Sequence, residues 1–382
     1  MALFLRDLNH SWIEKALSAI VFKVLFDRLL PDCIQGVGEA RVEGGLECLR
    51  METDTSFLIN GSMLLEDLIA SSNGKCNPIR NFTADELIRA TNNWDPRHVV
   101  QKCPLLPTWR PIFDELEFFH VDRVSVSVSC DIYWGCLDDR RVLVKKFTGV
   151  SSKDEVRSLV IRDIIIATQM SNHKNVLKLI GCCVQFPVPV LVHEYASNGP
   201  LNDQGGFGAD EYLPWKTRLR IAKELANALT YLHSALRRPV VHRDVRPSCI
   251  LLDHNLVPKL CNFALSITIP PNQSHASDDV KQTFGYTCLE DLVSGFVTEK
   301  SDVYSFGVLL LVFLTDVRYH VRSGAQSRIM DPKIVSEEGG EGQARQLKDF
   351  LALASACVQE KSEARPDMID VANELMRIQK TI

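Results

Sequence analysis

The residues that could take part in chemistry lie in short segments of the second two-thirds of the chain. One aspartate, Asp244, stands between two arginines in the segment His242–Asp253, and Lys145 follows the apolar run Val142–Val144. An aspartate can accept a proton from a hydroxyl group, and a lysine ammonium can bind an anion such as a phosphate. Both residue types also form ordinary ion pairs. The neighbouring segments are therefore needed to decide whether these two residues are catalytic or structural.

Six segments of this kind follow one another along the chain. They are Val142–Lys145, His242–Asp253, Cys261–Ala264, Leu289–Glu290, Ser301–Gly307 and Arg365–Pro366. Their order and spacing resemble those of protein kinases, in which the second segment is the catalytic loop and the third is the D-F-G motif. The resemblance implies an α+β fold with two lobes, a small β-rich N-lobe and a larger α-helical C-lobe. It also implies a site for phosphoryl transfer from ATP.

A further set of phrases resembles plant receptor-like kinases of the wall-associated group. They are Phe82–Leu87, Ala90–Asn93, Asn172–Val176 and again Ser301–Gly307. The opening phrases, Asn60–Leu65, Ser72–Lys75 and Asn77–Arg80, are similar to those of the plant pseudokinases that act as adaptors of a coiled-coil NLR immune receptor. The chain is thereby identified as resembling a receptor-like cytoplasmic kinase of this group.

By that resemblance, several parts of the phosphoryl-transfer site are altered. The three glycine positions of the phosphate-binding loop hold Ser125, Ser127 and Cys130, although glycine is needed where backbone approaches a phosphate closely. The two magnesium-binding positions hold Asn262 in place of aspartate and Cys249 in place of asparagine. Since Mg²⁺ prefers anionic oxygen ligands and sulfur is a soft ligand, we expect no metal site, no required cofactor and at most weak ATP binding.

Other parts of that site are retained. Lys145 keeps the phosphate-binding position, and Asp163 aligns with the glutamate that holds this lysine, although the two residues are equally well explained as a structural ion pair. Asp244 keeps the position of the catalytic base, and Arg246 replaces the lysine that assists it. Without metal ligands, Asp244 is better explained as a structural hydrogen-bond acceptor. The residues expected to be structural are His242 and Phe263 in the hydrophobic spine, Glu290 with Arg365 as a buried ion pair, and Ser301–Asp302 as a helix cap that anchors the catalytic-loop backbone.

Two loops outside the six segments carry hydroxyl groups or glycines that could serve a function. The segment Ser266–Gly285 takes the place of the activation loop, and its hydroxyl residues include Ser274, Ser277 and Thr283. It is either a solvated loop or a recognition segment whose hydroxyl groups are modified by a partner kinase or an effector acyltransferase. Gly205–Gly208 lies on the wrong side of the hinge to replace the glycine loop, and we expect it to be a flexible surface loop.

Hydrophobic periodicity predicts the elements that position these residues. The predicted strands are Val124–Val128, Val142–Val144 and Val190–Val192; the predicted helices are Ala84–Asn92 behind a capping box, Val156–Met170, the helical pattern that starts at Leu213, and Val303–Leu314. We divide the chain into an N-terminal extension (1–55), a helical segment beside the kinase domain (56–111) and a kinase-like domain (112–378) with its N-lobe at 112–194 and its C-lobe at 195–378. Pro104–Pro111 is expected to be a connector. We expect the extension to be either helical, as the helical spacing of apolar residues from Ile13 to Leu25 suggests, or loosely ordered.

Composition excludes several classes of protein. The chain has 382 residues with 43 Lys and Arg against 48 Asp and Glu, and this net charge of −5 gives no general attraction to nucleic acid or anionic lipid. Twelve irregularly spaced cysteines without a C-x-x-C pair predict a reduced intracellular protein without a zinc site. The apolar stretch Ala16–Leu30 is interrupted by three charged residues, so no membrane span is expected.

Three functional hypotheses follow from these observations. The first is a pseudokinase adaptor or decoy in plant innate immunity, the second a weakly active Ser/Thr kinase that uses Lys145 and Asp244, and the third a degraded receptor endodomain without a present role. The loss of both metal ligands and all three glycines favours the first. The resemblance implies that the partners are an NLR receptor with leucine-rich repeats, contacted by the β-rich lobe, and as further candidates another receptor-like cytoplasmic kinase or a bacterial effector. The expected location is the cytoplasm, or the plasma-membrane periphery through such partners.

Overall fold

The structure is a computed structural model that describes residues 46–72, 79–106, 128–149, 152–202, 205–208, 211–278, 286–315, 330–337 and 340–381. The described residues form two compact units. The N-lobe unit comprises residues up to Ala196 together with Asn262–Leu265, and the C-lobe unit comprises Ser197–Cys261 and the residues from Ser266 onward. Within the described ranges, no helix is both long and apolar enough to cross a membrane.

The N-lobe unit is a six-stranded sheet with three helices. Its elements are α1 (Leu46–Ser72), β1 (Arg80–Asn81), α2 (Ala84–Ala90), β2 (Val99–Leu106), β3 (Val128–Leu137), β4 (Arg140–Gly149), α3 (Lys153–Met170), β5 (Leu179–Cys183) and β6 (Val190–Glu194). The strand order is β1-β5-β6-β4-β3-β2, and every neighbouring pair is antiparallel except β1–β5. In the central strand β4, Val142, Leu143 and Val144 are all buried, which explains why the sequence shows a continuous apolar run there.

The strand β1 closes one edge of this sheet because β5 carries a glycine. A Cβ atom on Gly181 would lie 2.1 Å from the carbonyl oxygen of Arg80 and 2.6 Å from the Phe82 ring. After β1 the chain enters α2 through the predicted capping box, in which the Thr83 side chain accepts a hydrogen bond from the Glu86 amide and the Glu86 carboxylate accepts one from the Thr83 amide. Residues 80–90, which precede the six kinase-like segments, thus belong to the N-lobe unit.

The C-lobe unit is mainly helical with short two- and three-stranded sheets. Its elements are β7 (Gly199–Pro200), α4 (Trp215–Ser234), β8 (Val240–Val241), β9 (Ile250–Leu252), β10 (Pro258–Leu260), β11 (Ile267–Thr268), β12 (Ala276–Ser277), α5 (Leu289–Ser294), β13 (Phe296–Val297), α6 (Glu299–Leu314), α7 (Pro332–Ser336), α8 (Gly340–Cys357) and α9 (Met368–Lys380). The sheets are β10-β9-β7, β11-β8 and β12-β13. Almost every residue of α6 from Ser301 onward is buried, as its apolar sequence predicts.

The structure corrects the predicted boundaries. The helix α1 runs across the predicted division at 55/56, and residues 80–106 supply two strands of the N-lobe sheet, so 56–111 is not a separate helical segment and the N-lobe does not start at 112. Pro104 lies within β2, not in a connector. The errors that concern strands have one cause: the pairing of β1 with β5 and of β2 with β3 has no local signal in the sequence.

The large apolar side chains of α1 do not all face the protein interior. Leu65 and Ile69 of α1 are largely exposed, and the buried side of this helix carries Asn60 instead. The predicted flexible loop at Gly205–Gly208 is wrong as well, because Gly205 and Gly206 are buried and a Cβ on Gly205 would lie 2.9 Å from the Val312 carbonyl oxygen. The predicted helix at 13–25 and the start of the strand predicted at Val124 lie outside the described residues.

Candidate active site

Lys145 lies at the centre of a buried polar cluster in the N-lobe unit. Its strand β4 is paired on both sides, so that Lys145 stands opposite Ile132 of β3 and Leu191 of β6, and its side chain is buried. The Lys145 Nζ donates to Asp163 Oδ2 at 2.7 Å and to Asn262 Oδ1 at 2.6 Å. A buried ammonium needs such acceptors, and the structure therefore brings together three of the predicted site residues.

Asp163 connects Lys145 to the chain segment that carries Asn262. It is buried on α3, and its second oxygen, Oδ1, accepts a hydrogen bond of 2.9 Å from the Phe263 amide. Asn262 itself has φ of 72°, a left-handed conformation that asparagine adopts more easily than most residues. One carboxylate thus fixes both the lysine and the backbone of the D-F-G position.

These residues do not fit a magnesium ion. Asn262 offers a neutral oxygen, which accepts a hydrogen bond from Lys145. At the second metal position, Cys249 is fully buried and its thiol donates to Asp244 Oδ2 at 3.1 Å. Within the described ranges, no three His, Cys, Asp or Glu side chains are grouped so as to hold a metal ion.

Asp244 forms an ion pair inside the C-lobe unit. Arg246 Nε donates to Asp244 Oδ1 at 2.7 Å, and Arg246 Nη2 donates to Asp244 Oδ2 at 3.3 Å. Both side chains are almost completely buried. With the Cys249 thiol on the same carboxylate, Asp244 has the environment of a structural hydrogen-bond acceptor.

Asp302 anchors the loop that carries Asp244. Its carboxylate accepts hydrogen bonds from the backbone amides of His242 (2.7 Å) and Arg243 (2.9 Å) and lies 2.8 Å from the Nε2 of His233. Burial alone would raise the pKa of Asp302, but the hydrogen bond with His233 and the neighbouring histidines outweigh it and lower the pKa below its usual value. The N-cap of α6 is Thr298 and not Ser301 or Asp302; Ser301 completes the capping box.

The other expected structural residues behave differently from one another. His242 and Phe263 are fully buried, and His242 Nε2 lies 3.1 Å from the Cys261 carbonyl oxygen. The predicted buried ion pair of Glu290 with Arg365 needs correction, because the atoms are 3.5 Å apart and the Glu290 side chain is 39% exposed. Arg365 is held mainly by backbone carbonyls, while Glu290 accepts hydrogen bonds from the backbone and hydroxyl of one serine.

The segment in the activation-loop position is tied to the catalytic-loop position. Ser274 and Ser277 are exposed, and the next residue, Asp278, accepts a hydrogen bond of 2.7 Å from Nη1 of the buried Arg243. The sequence alone does not predict this contact, although the acidic residue beside the hydroxyl groups is a visible signal of it. Thr283 lies outside the described residues.

The glycine-loop positions are only partly described. Ser125 and Ser127 lie outside the described residues, whereas Cys130 lies in β3, directly opposite Cys103 of β2. A hydrogen bond with the Cys103 thiol and burial raise the pKa of Cys130 well above its usual value. The sulfur is therefore a protonated, packed side chain within the sheet.

His193 is a buried polar residue beside the polar cluster of Lys145 that the sequence does not predict. It is buried on β6, and its ring Nδ1 has no hydrogen-bond partner. Burial lowers the pKa of His193 to about 4, while the neighbouring charges of Asp163 and Lys145 act in opposite directions. An apolar strand with one histidine carries no signal that separates a buried neutral ring from an exposed one.

Comparison with known proteins gives the family. The family of protein tyrosine and serine/threonine kinases matches residues 130–375. The chain belongs to the protein kinase family. Two Arabidopsis thaliana relatives align with 85% of the chain: the serine/threonine-protein kinase ZRK1 is 36% identical over 354 residues, 93% of its own length, and the non-functional pseudokinase ZED1 is 37% identical over 346 residues, 96% of its own length.

A longer relative aligns with most of this chain over less than half of its own length. Wall-associated receptor kinase-like 1, also from Arabidopsis thaliana, is 32% identical over 342 residues, which are 85% of this chain and 43% of the relative. These similarities confirm the resemblance to the plant receptor-like kinases of the wall-associated-kinase-like and ZRK group. The names of the relatives include both kinases and pseudokinases, so the catalytic status of this kinase-family chain has to be argued from its own residues.

Proposed function

We propose that this protein is a catalytically impaired kinase, a pseudokinase, that uses the kinase fold to bind other proteins. The observation that carries this proposal is the environment of the two metal positions. Asn262 accepts a hydrogen bond from Lys145, and Cys249 donates one to Asp244. Neither position offers an anionic oxygen to hold a metal ion. Metal ions neutralise the phosphate charge in a phosphoryl-transfer site, and this neutralisation is one of the main tasks of such a site. If each substitution removes ~3 kcal/mol from transition-state stabilisation, phosphate transfer falls on the order of 100-fold per site.

The binding role proposed is that of an adaptor or decoy in plant immune signalling. Its support is the similarity to the non-functional pseudokinase ZED1 and the resemblance of the phrases at Asn60–Leu65 and Ser72–Lys75 to the opening of this group. The partner class proposed is an NLR receptor with leucine-rich repeats, with a second cytoplasmic kinase or a bacterial effector as further partners. ATP is not required for this role.

A weakly active Ser/Thr kinase is the second candidate, and one observation favours it. The ion pair of Lys145 with Asp163 is formed, and Asp244 keeps the base position. A kinase of this kind would depend on its metal in an atypical way.

Phosphate-transfer assays separate the two candidates. The full chain is incubated with Mg²⁺-ATP or Mn²⁺-ATP, and both phosphate transfer and the shift of the melting temperature are measured. We expect no transfer above that of an Asp244→Asn control. Robust turnover that this substitution abolishes would establish an enzyme instead.

A binding assay tests the adaptor role separately. The purified chain is mixed with the leucine-rich-repeat domain of candidate coiled-coil NLR receptors, and complex formation is followed by size-exclusion chromatography. We expect a stable complex without nucleotide. Failure with every candidate would remove the adaptor role and leave the assignment of impaired catalysis untouched.

A further inference from the structure

We propose that α1 is a conformational clamp on α3, which keeps Asp163 against Lys145 and Phe263 without help from a bound ligand. This inference goes beyond the proposed function, because it concerns how the N-lobe unit maintains its arrangement whether or not the protein transfers phosphate. It assigns a role to a helix that lies outside the region matched by the kinase family, residues 130–375.

The clamp is centred on Asn60, the fully buried polar residue of α1. Its amide Nδ2 donates to the carbonyl oxygens of Val184 (2.9 Å) and Phe186 (2.8 Å). Leu58 and Leu65 of the same helix are 70% and 58% exposed. Apolar burial of these leucines therefore does not hold the helix, and the two hydrogen bonds of one buried amide specify where it sits.

The turn that Asn60 binds also holds the other two helices of the N-lobe unit. The side-chain oxygen of Gln185 accepts a hydrogen bond of 2.7 Å from the Ala84 amide at the start of α2. The carbonyl oxygen of Pro187 accepts one of 2.9 Å from Nε of Arg157 on α3. Residues 184–187, which we call the helix-anchoring turn, thus connect α1, α2 and α3, and α1 also packs directly on α3.

The position of α3 in turn fixes the site. Asp163 on this helix accepts two hydrogen bonds, one of 2.7 Å from Lys145 Nζ and one of 2.9 Å from the Phe263 amide. A displacement of α3 by about 1 Å away from the two donors would carry both contacts beyond hydrogen-bond distance. Because Asn262 and Asp163 already supply the acceptors for Lys145, the arrangement is complete from the chain's own residues, and α1 is the element that restrains its movable part.

Hydrogen exchange of the full chain tests the clamp. Asn60→Leu keeps a similar volume and removes the amide donor, which leaves one buried carbonyl group, that of Val184, and one partly buried carbonyl group, that of Phe186, without this partner. We expect the amides of α3 and the Phe263 amide to exchange at least ~10-fold faster, since 1.4 kcal/mol corresponds to a factor of ten. Ser62→Ala, an exposed change on the same helix whose hydroxyl bonds only within α1, is the matched control and should leave these rates unchanged.

Each outcome of the exchange experiment is decisive. Faster exchange at α3 and Phe263, with the helix α6 of the C-lobe unit unchanged, supports the clamp. Faster exchange confined to α1 and the helix-anchoring turn overturns it, and so does an equal increase throughout the chain. If Asn60→Leu does not fold, the milder Asn60→Ser removes the same amide and is judged by the same three regions.

Discussion

His193 should make the protein lose stability in mild acid. Its side chain is only 4% exposed on β6, and burial lowers its pKa from 6.5 to about 4. The charged groups nearest to it are Asp163, which favours the protonated ring, and Lys145, which opposes it. Since these two effects act against each other, the cost of removing water from the imidazolium sets the direction.

The sign of the effect follows from the two protonation states. As the pH falls below 6.5, the unfolded chain takes up a proton at this histidine, whereas the folded chain does so only near pH 4. The stabilisation that neutral His193 provides is therefore complete above pH 6.5 and decreases as the pH falls toward 4. The pKa difference corresponds to about 3 kcal/mol in total, of which about 2 kcal/mol is lost at pH 5.

Urea unfolding at pH 7 and pH 5 measures this loss. Other acids titrate too, so the comparison is with His193→Gln, which keeps a donor and an acceptor but does not titrate. We expect the wild type to lose about 2 kcal/mol more than the variant between the two pH values. Equal losses in the two proteins would refute the reasoning, because they would mean that the folded and unfolded states bind this proton equally.

Three further substitutions have expected outcomes. Gly181→Ala should lower the free energy of unfolding by about 2–3 kcal/mol, measured by urea denaturation, because its Cβ would clash with the Arg80 carbonyl, whereas Gly61→Ala, with nothing within 4 Å, should not be destabilising; similar losses would contradict the edge-strand account. Asp302→Asn should cost about 3 kcal/mol in the same assay, since the anion that accepts the loop amides is lost, and a cost near zero would show that the charge is unimportant. Asn262→Asp alone should give no phosphate transfer in a radiolabel assay, because the second metal position keeps its thiol; measurable transfer would show this prediction to be wrong.

Local sequence signals predicted much of the fold. The apolar run before Lys145 is a buried central strand, the capping box at Thr83 starts a helix, and Val303–Leu314 is the buried part of α6. Each of these signals lies within a few residues of the element it specifies. The pairing of Lys145 with Asp163 was predicted from the family resemblance, and the two side chains form an ion pair of 2.7 Å between Nζ and Oδ2.

The missed features depend on contacts between distant parts of the chain. The addition of β1 to β5 depends on Gly181, which is about 100 residues away from its partner, and the burial of Asn60 depends on carbonyl groups more than 120 residues away. The ion pair of Glu290 with Arg365 was expected to be buried, but the Glu290 side chain is partly exposed. The position of a residue in a family motif does not show how exposed its side chain is. Asparagine on an apparently amphipathic helix is read as solvent-exposed unless its acceptors are known.

The retained charged residues are explained by the folded state alone. Lys145, Asp163 and Asp302 are buried, and removing one partner of a buried ion pair or hydrogen-bonded carboxylate typically costs 3–5 kcal/mol because the other partner stays buried. That cost is the same in an enzyme and in a binding protein, so the presence of these residues does not favour catalysis. Asn262 and Cys249 are different, because each satisfies its neighbour with a hydrogen bond, while Asn262 lacks the negative charge and Cys249 lacks the oxygen that magnesium prefers in a ligand. The support for the proposed function therefore lies in these two positions, where the buried neighbours keep their hydrogen bonds and the ligand chemistry that magnesium prefers is absent.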